Sequence, residues 1–454
     1  MNLLCRSMQK NDTIAAISTA PGEGAIAIIR LCGPKAFEIA NTVFDRPVDA
    51  FASHSAHYGK ILKTDGAVID HVLLLMMRNP RSYTGEDMIE ISCHGGSLIP
   101  RLVLDRLYEA GARPAEPGEF SLRAFLNGKI DLAQAEAVQQ LIAAKSEKAM
   151  EQASRQLEGA LSKKISEFQT DLTDVSAILE AWVDFPEEGL EFSTMEKLTA
   201  QLENILSEME RLAATFHDGK VLHEGISLCL IGSPNVGKSS LMNALLKQER
   251  AIVTEIAGTT RDLLEADLKI GGLHLRLIDT AGIRHTNEIV EKEGISRSRK
   301  AMNEADLVLL LLDSSQPLCE TDQELIQTAP KEKTLIVWNK MDIGKPDFSV
   351  SPVAISAKNQ LGLGSLQKAI EDMIWKKGAL STEELLITRL RHFQSLSHAI
   401  QSCRSCMEGL KTGVSAEFAA FDLRTSLNEL AAILGTNVTE DLLSAIFSKF
   451  CLGK

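Results

Sequence analysis

Residues 226–243, ISLCLIGSPNVGKSSLMN, decide the fold of the sequence around them. An apolar run typical of a buried strand leads into a glycine-rich turn, and a helical pattern follows it. A strand, the spacing G-x-x-x-x-G-K-S and a helix together predict a phosphate-binding loop, whose backbone N–H groups point at phosphate oxygens. The alternative is a strand–helix turn that only resembles such a loop, and the later motifs argue against it.

Strand-like and helical patterns alternate from about residue 224 to 378. The strand-like runs are ISLCLIG, LRLIDTAG, LVLLLLD, TLIVWNK and VAISAK. This alternation predicts a mainly parallel sheet with helices on both faces, as in a Ras-like P-loop α/β G domain.

Three later motifs predict which nucleotide binds. In NKMD, Asp342 can accept two hydrogen bonds from guanine, a pair that adenine does not offer, so the site is predicted to take GTP. DTAG supplies Asp279 near Mg²⁺ and Gly282 near the γ-phosphate, and SAK closes the base pocket. Lys238 should reach the β- and γ-phosphates, and Ser239 should bind Mg²⁺. The predicted GTP-binding residues are Asn235, Val236, Gly237, Lys238, Ser239, Ser240, Thr254, Glu255, Ile256, Ala257, Gly258, Thr259, Thr260, Asp279, Thr280, Ala281, Gly282, Asn339, Lys340, Asp342, Ser356, Ala357 and Lys358.

One position departs from small GTPases, which carry a glutamine after DTAG to orient the attacking water. Here it is Ile283, whose side chain forms no hydrogen bond. Asn235, the segment TEIAGTTRD and Glu291 are the candidates to replace it. Asn235 can equally stabilise the turn, and Glu291 can equally be a solvated helix carboxylate.

The sequence on either side of this region shows two other residue patterns. Residues 11–122 mix strand-like runs such as GAIAIIRL and MIEIS with glycine-rich turns. Residues 130–218, and those after 381, have helical periodicity. An insertion into one helical domain explains the pattern, and two separate helical domains are the alternative.

Composition limits the classes of protein to which the chain can belong. Net charge is −13 over 454 residues, and no run of five basic residues occurs, so a nucleic-acid partner requires a local patch or a complex. The eight cysteines are scattered, which is typical of a reducing, cytosolic setting. CRSC at 403–406 has metal or redox spacing but lacks a second pair and is interpreted as structural. No apolar run approaches the ~20 residues that span a bilayer, so no membrane association is expected.

The chain resembles the MnmE (TrmE) family of tRNA-modifying GTPases over essentially its full length. The features that carry the resemblance are PGEFSLRAFLNGKIDLAQAEAV, GSPNVGKSS, IAGTTRD, DTAGIR, NKMD and CLGK. The resemblance implies an α+β folate-binding and dimerisation domain (1–122), a helical domain (123–220 and 379–454) and an inserted G domain (221–378).

The resemblance also implies how GTP is hydrolysed. Family members act when two G domains meet with potassium between them, where the ion neutralises charge that develops on the phosphates. Mapped onto this sequence, the potassium ligands are Asn235, Thr254, Ile256 and Thr259, and Thr260 joins Ser239 on Mg²⁺. Glu291 corresponds to the acidic residue that positions the water, and Lys238, Asn235 and Cys451 are the other expected catalytic residues.

A second site follows from the resemblance. The family binds formyl-tetrahydrofolate as a one-carbon donor, and the matching positions are Arg30, Glu90, Lys129 and Lys454. With the flavoprotein MnmG it places an aminomethyl or carboxymethylaminomethyl group on the wobble uridine of certain tRNAs. From the residues alone, Arg30 and Glu90 can instead form an exposed cross-strand charge pair.

The segment CLGK at 451–454 admits several interpretations. Lipidation is excluded, because Lys454 stands where Ser, Met, Gln, Ala, Leu or Phe is required. The preceding helical pattern argues against a frayed end, and Cys451 is expected to be a nucleophile or a polar contact at the folate site. For the whole chain, the alternatives are a ribosome-assembly GTPase and a non-catalytic GTP-gated scaffold.

Overall fold

The computed structural model describes residues 12–184, 194–248, 267–270, 273–278, 302–347, 349–374 and 385–454. The chain divides into two compact units. The first contains the described residues within Met1–Ala143, Ala153–Met209 and Gln394–Lys454, and the second those within Ala144–Gln152 and Glu210–Phe393.

The first unit contains a six-stranded sheet with the order β3-β4-β5-β2-β1-β6. Neighbouring strands are antiparallel except β1 and β6, which are parallel. The strands are β1 (Ile14–Ile17), β2 (Ile26–Cys32), β3 (Ala56–Leu62), β4 (Val68–Met77), β5 (Met88–His94) and β6 (Arg113–Pro114). The strands predicted from GAIAIIRL and MIEIS are confirmed as β2 and β5.

The two faces of this sheet differ because side chains alternate along each strand. Helices α1 (Ala36–Val43) and α2 (Ile99–Glu109) cover one face, and they share a buried core with Ile29, Ile91 and Leu74. The opposite face carries Arg30 and Glu90, which are directly paired across β2 and β5.

Helices form the rest of the first unit. Helix α6 (Ala160–Asp184) packs along α13 (Ala416–Leu434), and Ser426 of α13 donates to the carbonyl of Ala399 in α12 (Leu390–Thr412) at 3.0 Å. Segments from before and after the second unit therefore share one core. The helices are α3 (Glu119–Leu126), α4 (Leu132–Ala143), α6 (Ala160–Asp184), α13 (Ala416–Leu434) and α14 (Glu440–Phe447), with α5 (Glu147–Leu157), α7 (Met195–Ala214) and α12 (Leu390–Thr412) running partly into the second unit.

The second unit contains a five-stranded sheet with the order β11-β10-β7-β9-β8. All pairs are parallel except β8 with β9, so the prediction of a mainly parallel sheet is confirmed. The strands are β7 (Ile226–Ile231), β8 (Asp267–Ile270), β9 (Leu273–Ile278), β10 (Leu307–Asp313) and β11 (Thr334–Asn339). The helices are α8 (Phe216–Glu224), α9 (Lys238–Gln248), α10 (Glu320–Thr328) and α11 (Leu363–Ile374), with a short 3₁₀ turn at Lys331–Lys333.

The prediction that VAISAK forms a full strand is wrong. The segment makes an isolated parallel bridge at Ala354, with Trp338 donating to Val353 and Ile355 donating to Trp338. The chain then folds back, because Ser356 bridges antiparallel to Leu361 across a turn that has positive φ at Gln360 (57°). This turn leaves too few extended residues for a ladder.

Among the residues that the structure describes, no helix combines the length and apolar character that crossing a membrane would need.

Candidate functional site

The predicted phosphate loop lies between the end of β7 at Ile231 and the start of α9 at Lys238. Two of its glycines approach neighbouring groups closely: Gly232 lies against the carbonyl of Leu311, and Gly237 lies against the amide of Asn339. Both have positive φ (148° and 102°), which glycine adopts without strain. Asn235 also has positive φ (62°), a conformation that asparagine tolerates better than most residues.

The amine of Lys238 lies inside this loop. Its Nζ donates to the carbonyl oxygens of Gly232 at 2.7 Å and Ser233 at 3.0 Å. Burial lowers the pKa of Lys238, because the charged ammonium loses solvation. A partly desolvated cation held within a ring of backbone groups fits a phosphate oxygen as an additional partner.

Asn339, the last residue of β11, ties the base motif to the phosphate loop. Its buried side chain donates from Nδ2 to the carbonyl of Val236 at 2.8 Å. Its Oδ1 accepts from the backbone N–H of Ala357 at 3.0 Å. One amide thus joins the loops that carry three of the predicted motifs.

The base motif continues with Lys340 and Asp342. Lys340 Nζ lies 2.6 Å from Asp313 Oδ2. Burial would raise the pKa of Asp313, but hydrogen bonds from Lys340 and Ser315 lower it overall. The exposed Asp342 accepts from Asn359 Nδ2 at 3.0 Å, and Asn359 N–H donates to buried Ser356 Oγ at 3.2 Å. The structure therefore brings NKMD and SAK together.

Sequence reasoning missed Asp313 and Asn359. A polar residue directly after the apolar run LVLLLL was the available signal for Asp313, since polar groups often end buried parallel strands. Asn359 follows SAK immediately, but no rule of spacing selects it.

Asp322 was also missed. Ser233 of the phosphate loop donates from Oγ to Asp322 Oδ1 at 2.5 Å. Asp322 is buried and caps the start of α10 by accepting from the N–H of Cys319 at 3.2 Å. The only sequence signal for this capping role is an acidic residue at the third position of the helix.

The remaining predicted residues of the GTP site divide into two sets. Ser239 and Ser240 are exposed in the first turn of α9, and Lys358 is exposed after β11. The predicted residues outside the described part of the chain are Thr254, Glu255, Ile256, Ala257, Gly258, Thr259, Thr260, Asp279, Thr280, Ala281, Gly282 and Glu291.

A second group of predicted residues meets on the first sheet. Arg30 Nε donates to Glu90 Oε1 at 2.8 Å, and each side chain is less than one-fifth exposed, at 18% and 19%. The two do form a cross-strand pair, but a mostly buried one. The guanidinium also lies over the ring of Tyr83, 5.6 Å from its centroid, and Tyr83 Oη is 2.8 Å from Ser121 Oγ.

The CLGK segment, Cys451–Lys454, reaches the same group. The carbonyl oxygen of Gly453 accepts from Arg30 Nη1 at 3.2 Å and from Ser18 Oγ at 3.0 Å. Gly453 has a φ of 85°, and a Cβ there would lie 2.6 Å from the carbonyl oxygen of Ile17. Only glycine therefore fits at this position.

The remaining predicted residues of this site are placed differently. Burial, and then the charge of Arg30, lowers the pKa of Lys454. Cys451 is exposed, and its carbonyl accepts from Gly118 N–H at 3.4 Å. Lys129 donates to the carbonyl of Pro80 at 3.1 Å, so its contact is with the loop that carries Tyr83. The structure thus joins Arg30, Glu90 and the CLGK segment directly.

A charge network centred on the buried Arg123 and Glu119 holds the 113–123 segment against the sheet. Arg123 contacts Asp12 at 2.7 Å, Glu86 at 2.9 Å and Glu119 at 3.1 Å. Arg113 pairs with Asp12 and with Glu119. Through Arg123, the network joins Glu86, at the end of the loop that carries Tyr83, to Glu119 of α3 and to Asp12, which precedes β1.

The structural interpretation of CRSC agrees with its burial. Cys403 and Cys406 are both inaccessible on α12. Burial raises the pKa of Cys406 to about 12, with a further contribution from Cys403. A metal ligand needs a thiolate, and within the described ranges no cluster of His, Cys, Asp and Glu could hold a metal ion.

Fold and loop geometry define a P-loop protein with a guanine-type base motif. Comparison with known proteins identifies the family within this class. The family model described as "MnmE helical domain" matches residues 132–451, and that described as "GTP-binding protein TrmE N-terminus" matches residues 13–129. The chain belongs to the MnmE (TrmE) family.

Curated relatives are similar to this chain over its full length. A protein of Protochlamydia amoebophila named "tRNA modification GTPase MnmE" is 54% identical over 458 residues, covering 100% of both chains. A protein of Chlamydia pneumoniae with the same name is 45% identical and covers 98% of this chain and 100% of its own. The predicted family is therefore confirmed.

Solved structures are similar to a smaller part of this chain. A structure of an Aquifex aeolicus Era variant bound to GDP and AlF₄⁻ is 24% identical, covering 39% of this chain and 66% of its own, with a TM-score of 0.26.

Proposed function

We propose that this chain is a GTP hydrolase that acts in the modification of tRNA. Full-length identity of 54% to a relative named as a tRNA modification GTPase is the observation that carries the proposal. The joined phosphate and base loops of the second unit and the Arg30 site of the first unit support it independently.

In the proposed GTP site, Lys238 contacts the β- and γ-phosphates and Asp342 reads guanine. Asn339 holds the two loops in register through Val236 and Ala357. Asn359 orients the Asp342 carboxylate from one side, which leaves its other lone pairs for the base. Magnesium, held by Ser239 and Thr260, would neutralise phosphate charge.

Hydrolysis is proposed to depend on potassium, as the resemblance to the MnmE family implies. Ile283 supports the need for such an additional group, because its side chain cannot orient water as glutamine does. The proposed ligands are Asn235, Thr254, Ile256 and Thr259, and Glu291 would position the water. Asn235 is the one proposed potassium ligand that lies within the described residues. Its left-handed backbone conformation fixes it within the phosphate loop, which supports this role.

The Arg30 site is proposed to bind a formyl-tetrahydrofolate-type donor, which would supply the one-carbon group. The donors present fit such a ligand, because Arg30 has five N–H groups and uses two of them on Glu90 and Gly453. Burial lowers the pKa of Lys454, so its amine is more readily neutral than an exposed lysine. Glu90 accepts ring or amine N–H groups, and Lys129 completes the set.

Cys451 is proposed to act at the same site as a nucleophile or a polar contact. Its exposure beside a segment held by Arg30 supports access to a substrate base. A Cys451→Ser variant that hydrolyses GTP normally but fails to modify tRNA would favour the nucleophile.

The partners follow from the same assignment. We propose that tRNA is the substrate, that MnmG is the partner flavoprotein and that the chain forms a homodimer. The sheet face that carries Arg30 supports the dimer, because Tyr58 and Leu73 are paired across β3 and β4 there and are 62% and 50% exposed. Exposed apolar side chains on a sheet face favour contact with another protein surface.

We also infer the domain plan 1–122, 123–220, 221–378 and 379–454. Shared packing of α6 and α13, from either side of the second unit, supports one helical domain interrupted by the G domain.

Nucleoside analysis by mass spectrometry tests the function. Deleting the gene should leave the wobble uridine of substrate tRNAs unmodified, and restoring it should return the modified nucleoside. An unaltered nucleoside profile after deletion would contradict the proposal. A complemented strain carrying Lys238→Ala, with the protein present at native levels, separates dependence on GTP from simple absence of the chain.

A further inference from the structure

Two features of Ser18 set it apart from other residues near Arg30. Its side chain donates to the carbonyl of Gly453, 435 positions away in sequence. Its backbone is fixed independently, because Ser18 N–H donates to the carbonyl of Ile28 at 2.8 Å. A hydroxyl on a rigid strand end therefore meets a backbone carbonyl of the CLGK segment.

The CLGK segment is held from several sides. Phe447 and Phe450 are buried in a cluster with Leu122 and Leu132, which delivers the segment to the sheet. Gly118 N–H then donates to the carbonyl of Cys451 at 3.4 Å. Beyond Cys451, hydrogen bonds join the segment to the sheet at Gly453, where Ser18 and Arg30 share one carbonyl oxygen.

Arg30 has competing partners, and Ser18 has fewer. Arg30 is bound to Glu90, stacks on Tyr83 and is proposed to meet the folate. Any ligand that draws the guanidinium away weakens its 3.2 Å bond to Gly453, whereas the hydroxyl of Ser18 remains.

We infer that Ser18 is a positioning residue: its hydroxyl holds Gly453, and through it the reactive groups of Cys451 and Lys454, while Arg30 engages the one-carbon donor. This inference rests on the proposed function for its consequence in tRNA modification, but its structural part concerns the protein alone.

Thr19 offers a matched control. It is the next residue, it also carries a hydroxyl, and its Oγ1 accepts from Ile28 N–H at 2.8 Å. Thr19→Ala therefore removes a hydroxyl from the same strand end without touching the CLGK segment. Ser18→Thr keeps the hydroxyl and is the conservative variant.

Hydrogen–deuterium exchange of the full-length protein, followed in the peptide that covers residues 448–454, tests the structural part. Ser18→Ala should accelerate exchange of this peptide about fivefold, the effect of losing one hydrogen bond. Thr19→Ala and Ser18→Thr should exchange at the native rate, and the melting temperature of all three should stay close to that of the native protein.

The same variants, introduced at the chromosomal gene, test the consequence. Ser18→Ala should reduce the modified fraction of the wobble uridine several-fold, and the other two should not. Native exchange in Ser18→Ala, or faster exchange with full modification, would overturn the inference. A native strain without the modified nucleoside would overturn the proposed function, whatever the exchange shows.

Discussion

The side-chain amide of Asn339 donates to the carbonyl of Val236 at 2.8 Å, which joins the end of β11 to the phosphate loop. The two residues are 103 positions apart in sequence. Because the same amide accepts from Ala357, the base-binding and phosphate-binding loops have one shared support.

Asn339→Ala should weaken GTP binding more than tenfold. The change leaves the carbonyl of Val236 and the N–H of Ala357 buried without this partner, and an unsatisfied buried group costs about 1–3 kcal/mol. Titration with a fluorescent GTP analogue measures the loss. Asn437→Ala, which removes an exposed amide contact with Asn428, is the control and should bind normally. Equal affinities in both variants would refute the support role.

Asp342→Asn should change which base is bound. The carboxylate accepts N–H groups from guanine, whereas an amide presents a donor that suits the 2-carbonyl of xanthine. We expect GTP affinity to fall by about two orders of magnitude, the loss of roughly two hydrogen bonds to a charged group. Competition between GTP and xanthosine triphosphate provides the measurement, and an unchanged preference for GTP would place the base elsewhere.

Potassium should accelerate GTP hydrolysis strongly relative to sodium at equal ionic strength. In the proposed site, the oxygens of Asn235, Thr254, Ile256 and Thr259 would coordinate potassium and would bind the smaller sodium ion less well. Asn235→Ala should remove the difference between the salts. Phosphate release in the two salts is the readout. Equal rates for the native protein would eliminate the ion site.

Glu119→Gln should destabilise the first unit at neutral pH by about 3–5 kcal/mol, because it breaks a buried charge network around Arg113 and Arg123. Burial would raise the pKa of Glu119, but the hydrogen bond from Arg113 and further contacts lower it overall, below its ordinary value of 4.5. Its contribution is therefore present above about pH 4.5 and is lost as pH falls through the lowered pKa.

Urea unfolding at pH 7 and in acid measures this effect. The gap between native protein and Glu119→Gln should narrow in acid. Glu109→Gln, at a position 60% exposed and 3.8 Å from Arg106, is the control and should cost less than about 1 kcal/mol. A gap that stays constant across pH would show that Glu119 contributes by packing rather than charge.

Lys454 should titrate below the ordinary lysine pKa of 10.5, because burial and the charge of Arg30 disfavour its ammonium. The folded state then binds fewer protons, so stability rises as pH climbs from the lowered pKa towards 10.5. Glu90→Gln should lower the Lys454 pKa further, since Glu90 favours the charged form.

NMR titration of reductively ¹³C-methylated protein tests this shift. Lys164 is the comparison, because its hydrogen bond to Glu208 raises its pKa above 10.5. Coincident titration of the two lysines would disprove the burial of Lys454.

Local motifs made the GTP site predictable. The strand–loop–helix around Lys238 and the strand that ends at Asn339 follow from apolar runs and fixed spacings, and the structure has both. The prediction that VAISAK forms a strand was wrong, because the length of this segment's extended part depends on the turn at Gln360, which brings Leu361 back onto Ser356. Hydropathy shows an apolar run but does not reveal such a turn.

Long-range side-chain contacts were not predictable in the same way. Nothing near Ser233 indicates that it pairs with Asp322, and nothing near Ser18 indicates Gly453. The Arg30–Glu90 pair could be proposed from strand patterns, but its burial depends on Tyr83 and the CLGK segment, which arrive from distant parts of the chain.

The bond between Ser18 and Gly453 also constrains biosynthesis. Residues around Arg30 are made first, yet their site is complete only after synthesis has passed residue 453. Domains fold largely in the order in which they emerge, so the phosphate loop can form while the Arg30 site still lacks its last element. A chain truncated before Gly453 would thus keep its nucleotide loops and lose the contact that completes the Arg30 site, so the two sites become complete at different times during synthesis.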